Sequence, residues 1–92
     1  MMSALKLPAT LLHDQADACL AQWVAQLPGH LPPSVGLDAS ELTEFDSSAL
    51  AVLLGLRREL VLRGSVLEVT GMSPRLRELA GLYGVIDLLQ PI

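Results

Sequence analysis

Three times along the chain a short apolar run gives way to a longer run with helical spacing. The clearest case is central. Val35-Gly36-Leu37-Asp38-Ala39 reads as a buried strand, with a proline loop before it and polar residues after it. A loop follows from Ser40 to Phe45. Asp46-Ser47-Ser48 then supplies side-chain oxygens suited to the free amides of a helix start. That helix is expected to run to about Arg63, with Gly64 as its stop.

The flanking segments repeat the pattern. Residues 4–8 alternate weakly and read as a short strand, whose proline suits an edge or a strand end. From about His13 to Leu27, Ala16, Leu20, Trp23, Val24 and Leu27 share one helical face, and Pro28-Gly29 ends the run. Ser65 to Thr70 alternates as a strand. Ser73-Pro74 then opens a helix carrying Leu76, Leu79, Ala80 and Tyr83 on one face, and Gly84 stops it. Val85 to Leu89 forms a last short element. Strand and helix alternating in this way predict an α/β fold with a mainly parallel sheet and right-handed crossovers.

The chain has 92 residues, room for one domain over 1–92. Half of it is hydrophobic and 17% is charged, which excludes a disordered tail. One cysteine, Cys19, excludes a disulfide scaffold and a cysteine-based zinc site. No apolar run reaches about 18 residues, so direct membrane insertion is not expected. Residues 1–8 lack the pattern of a secretory signal, so a cytoplasmic protein is expected. The net charge is −4, with one tyrosine, one phenylalanine and one tryptophan, a poor composition for binding nucleic acid. The acids concentrate in residues 1–46. Five arginines lie in residues 47–92 on two expected helices and are read as solvated.

Catalytic candidates are few. His13 and His30 have no second ligand at a helical spacing, so no metal is expected. No glycine-rich phosphate loop occurs, so no cofactor is expected. Glu41, Glu44 and Asp46 cluster in one loop, where capping and solvation explain them better than acid–base catalysis. A small α/β enzyme would need a nucleophile–base pair or a cofactor loop, and the chain has neither.

The helix from Asp46 is the informative segment. Leu50, Leu53, Leu54 and Val61 are expected to face the sheet. The other side carries Ser48, Ala51, Val52, Gly55 and Leu62, small and apolar where a solvent face would carry Lys and Glu. Glycine costs helix stability, so Gly55 argues for a close contact. We expect a partner-binding surface of Asp46, Ser47, Ser48, Ala51, Val52, Gly55, Arg58 and Leu62. Ser47 and Ser48 sit where a helix N-terminus also favours phosphate, so both are candidate phosphorylation sites.

Leu37-Asp38-Ala39-Ser40, Phe45-Asp46-Ser47-Ser48-Ala49-Leu50, Leu67-Glu68-Val69-Thr70-Gly71 and Ser73-Pro74 together resemble a STAS domain, the fold of bacterial anti-sigma factor antagonists. The ending Leu79-Ala80-Gly81-Leu82-Tyr83-Gly84-Val85, with Leu88 and Pro91 behind it, resembles the MlaB-like branch, the small STAS subunit of the Mla-type phospholipid ABC transporter. The resemblance covers residues 35–91 well and the first third loosely.

It implies a mainly parallel four-stranded sheet with helices mainly on one side, and no enzyme activity. It implies a subunit that binds and supports the cytoplasmic ATPase of a phospholipid transporter maintaining outer-membrane lipid asymmetry, peripheral to the inner membrane. Asp46 would be the capping acid, and Ser47 the interface hydroxyl of that branch. Ser48 matches the hydroxyl phosphorylated in anti-sigma antagonists, although Ala49 replaces their usual glycine. The alternative is therefore an antagonist that binds an anti-sigma factor kinase and is switched by serine phosphorylation. The N-terminal hairpin of the family looks shortened. An exposed sheet edge there would offer a route to a homodimer.

Overall fold

The computed structural model describes residues 2–27 and 29–89. Pro28, expected to help end the first helix, and Pro91 lie outside the described residues. Strand β1 is Met2–Lys6 and β2 is Thr10–Leu11; helix α1 is His13–Gln26. Next come β3 (Ser34–Asp38), β4 (Glu44–Phe45), α2 (Ser48–Leu62), β5 (Val66–Thr70), α3 (Pro74–Leu82) and α4 (Ile86–Leu89).

The main sheet is parallel, in the order β1-β3-β5. In register, Leu5 pairs with Leu37, Val35 with Leu67, and Leu37 with Val69. Paired residues share a face, and all of these are buried. Val66 and Thr70, on the opposite face, are exposed, and Ser34 there donates to Glu68 at 3.1 Å. The helices therefore cover one face of the sheet, and α2 and α4 pack against β5. Leu53, Leu56 and Leu60 of α2 fill the space between with no exposed surface.

The α/β class and the one-sided helices are as expected; the strand count differs. The main sheet has three strands, and β2 pairs with β4 as a separate parallel ladder of two residues per strand. The segment before α1 thus holds two strands where the sequence suggests one. Each pairs in parallel with a later strand. A two-residue strand is too short to show a period, so both β2 and β4 pass for loop in the sequence.

The stops fall where expected. Gly64 and Gly84 adopt φ of +81° and +71°, left-handed values that a residue with a Cβ rarely takes. Ser73 caps α3 by accepting from the Leu76 N–H at 3.2 Å, with Pro74 in the first turn. Ser65 is buried and donates to the Pro32 carbonyl at 2.8 Å, pinning the start of β5 to the loop before β3.

Candidate functional site

Asp46 does more than the expected capping. One carboxylate oxygen accepts the Ser48 N–H at 2.8 Å, which starts α2. The other accepts the His13 N–H at 3.1 Å, which starts α1. One side chain therefore satisfies the first amides of two helices. The Ser48 N–H bond, with the His13 bond adding to it, holds the Asp46 carboxyl below its ordinary range. Ser47 occupies the cap position itself, but with helical backbone and no capping bond from its hydroxyl. It is exposed. Ser48 is half-buried, its Oγ 3.4 Å from His13 Nδ1.

A carboxyl with a depressed pKa stabilises the fold above its unfolded pKa. That contribution is lost as pH falls through the folded pKa. Wild-type chain and Asp46→Asn are therefore expected to differ in urea stability near neutral pH and to converge as pH falls below the ordinary carboxylate range. Asp38, held low by its bonds from Ser40, supplies acid sensitivity that both retain. A difference that stays constant down to acid pH would contradict this role for Asp46.

The other loop acids are separately engaged. Glu41 pairs with Lys6, and Glu44 accepts from the Thr10 hydroxyl at 3.3 Å. They form no acid–base pair with Asp46. Cys19 is half-buried, and burial pushes its thiol pKa up, which disfavours the thiolate. No group of metal-ligating side chains occurs among the described residues, and no helix there is long and apolar enough to cross a membrane.

The expected binding surface of α2 needs correction. Val52 is 2% exposed, and Gly55 lies against Leu20 of α1. Val52 is thus part of the core and Gly55 part of the α1–α2 contact, so the close approach that Gly55 serves is within the chain. Val61, expected against the sheet, is instead 50% exposed. A Cβ at position 55 would lie 2.6 Å from Leu20 Cδ2, the free end of a flexible side chain. Gly55→Ala should change stability little. The leucine can turn aside, and alanine gains about 1 kcal/mol of helix propensity. Gly55→Arg should displace α1 and markedly lower the melting temperature. Thermal melts of the two variants check this pair, and equal effects would contradict the contact.

The free side of α2 consists of Ser47, Ala51, Leu54, Arg58 and Leu62, spaced by four, three, four and four residues. Leu54 is half-buried and the other four are exposed, Leu62 by 74%. The turn after α3 lies beside this stripe. Ser47, Leu50, Ala51 and Leu54 line an apolar groove with Tyr83 and Val85. Ser47 and Tyr83 also border a second cleft, of about 370 Å³, that extends to Phe45, Arg75 and Glu78. The Arg75 guanidinium sits over the Phe45 ring, 5.0 Å from its centre. Sequence reasoning singled out Ser47, Ala51, Arg58 and Leu62 but missed Leu54 and Tyr83. The four-three-four spacing through Leu54 was the available signal.

A family model described as "Mlab, STAS domain" matches residues 2–90. No curated protein matches the chain. Several solved structures are similar in fold. One is a sulfate transporter family protein from Wolinella succinogenes, 19% identical, with a TM-score of 0.77 over 96% of this chain and 70% of that one. Another is the anti-sigma factor antagonist SpoIIAA in its unphosphorylated form, 20% identical, TM-score 0.74, covering 92% of this chain and 74% of that one. A third is the STAS domain of a SulP transporter from Vibrio cholerae, 12% identical, TM-score 0.71, covering 99% and 73%. At these identities the likeness shows the fold.

Proposed function

Since the chain belongs to the MlaB-type STAS domain family, we propose that it is a non-enzymatic binding subunit that docks on the cytoplasmic ATPase of an Mla-type phospholipid ABC transporter. STAS domains are interaction modules, and this one presents an apolar surface suited to that work. The observation that carries the proposal is the free stripe of α2. Ser47, Ala51, Leu54, Arg58 and Leu62 run beside Tyr83, so apolar side chains are exposed where a solvated helix would carry charge. Docking would bury Ala51, Leu54 and Leu62 and leave Arg58 for a carboxylate of the ATPase. Through that contact the subunit would sit at the inner membrane without entering it.

The experiment is capture from native membranes with tagged full-length chain, followed by identification of what is retained. An ABC-transporter ATPase is the expected result. A soluble kinase-like protein, released by Ser48→Asp, would overturn this reading. It would favour the anti-sigma antagonist alternative, for which Ser48 beside His13 is the structural support. A phosphate there adds about −1.5 to −2 charges next to Asp46, enough to repel an acidic partner surface.

A further inference from the structure

We propose that, when no other partner covers it, the free stripe of α2 pairs with a second copy of the chain about a two-fold axis, with the two α2 helices antiparallel. This pairing is independent of the transporter role.

The stripe is self-complementary in size. Positions 47, 51, 54, 58 and 62 are arranged nearly symmetrically about a point between residues 54 and 55. An antiparallel copy sets the small Ser47 opposite the large Leu62 and the small Ala51 opposite the long Arg58 stem. Leu54 then meets its counterpart beside the axis. Such a contact is isologous: each mismatch in size is filled twice by the same pair of residues.

The stripe is also complementary in charge. Asp46 and Glu78 lie at the start of α2, and Arg75 there is held over Phe45. Arg57 and Arg58 lie in the far half, and among the described residues neither has an ion-pair or hydrogen-bond partner. The Glu59–Arg63 pair in that half is neutral, so antiparallel alignment carries the unpaired Arg57 and Arg58 of one copy toward the end of the other where Asp46 and Glu78 outnumber Arg75. Parallel alignment would stack Arg58 on Arg58.

The β5 edge of the sheet is a poorer route. Pairing β5 with itself about Glu68 places two carboxylates opposite each other, which destabilises a ladder. The α2 stripe is about 22 Å long at 1.5 Å per residue. One helix stripe with Tyr83 beside it is a small footprint next to the about 800 Å² per partner of a stable complex. The pairing is therefore weak, and it yields to a partner with a larger footprint.

Sedimentation velocity of the full chain, from low micromolar to several hundred micromolar, tests this. The expected result is concentration-dependent dimerisation that weakens in high salt. Ala51→Arg and Arg58→Glu should each leave a monomer with unchanged far-ultraviolet circular dichroism. The double exchange Arg58→Glu with Glu78→Arg should regain association. A wild-type chain that stays monomeric throughout would overturn the proposal. So would a dimer that survives both single substitutions, which would lie at another surface. Failure of the double exchange to regain association would overturn the antiparallel alignment.

Discussion

Replacing Ala51 with arginine is expected to abolish recovery of the transporter ATPase from native membranes while leaving the chain folded. Ala51 lies on the free α2 stripe one turn before Leu54 and is exposed, so an arginine there meets solvent in the isolated subunit. Exposed substitutions of this kind usually change stability by no more than about 0.5 kcal/mol. In the complex the same side chain would be forced into the apolar centre of the contact, and a buried charge without a partner is strongly unfavourable. Central interface residues typically cost about 2 kcal/mol or more when disrupted, roughly a thirtyfold loss of affinity. The check is the amount of ATPase retained per bait, alongside a thermal melt. Unchanged retention would remove α2 from the interface. Gly55→Arg cannot serve the same purpose, because it strikes the α1–α2 packing.

The largest effect on stability is expected from Leu56→Ala. Leu56 has no exposed surface and belongs to the cluster joining α2 to the sheet. Truncating a buried leucine removes its transfer free energy and leaves a cavity, for about 2–5 kcal/mol. A small domain has about 5–15 kcal/mol in all. At about 4–8 °C per kcal/mol for a domain of this size, the melting temperature should fall by at least about 8 °C. Leu62→Ala, six residues along the same helix but exposed, should shift it by a few degrees at most. Circular dichroism melts of the two variants provide the comparison. Equal shifts would contradict the two faces assigned to α2.

Much of this fold was legible in the sequence because its punctuation is chemical. Gly64 and Gly84 end helices at the positions where the backbone turns left-handed, and Ser73-Pro74 starts one. The alternation of Val66, Leu67 and Val69 located β5 within a residue. What escaped depends on contacts between elements distant in sequence. No local pattern tells which side of α2 another helix will cover, and α1 covers the side holding Gly55, while Val52 is buried in the core. A small residue fits both an internal helix contact and an external one, so Gly55 pointed to close approach without identifying the neighbour. The β2–β4 ladder escaped for a simpler reason, since two residues cannot display a period. Capping was read correctly as a property of the segment but spread over three side chains, whereas Asp46 alone supplies the bonds.

That shared carboxylate has a kinetic consequence. His13 and Ser48 are 35 residues apart, yet their amides are held by the two oxygens of one group. Fraying the first turn of α1 frees an oxygen that remains tethered to α2, and the reverse also holds. Either start can therefore fray by itself, but losing the carboxylate frees both amides at once. Protonating Asp46 loosens both together, and so does a contact or covalent group at Ser47 or Ser48 that draws the carboxylate away. Replacing Asp46 should therefore appear as faster amide exchange at both His13 and Ser48, although they are 35 residues apart.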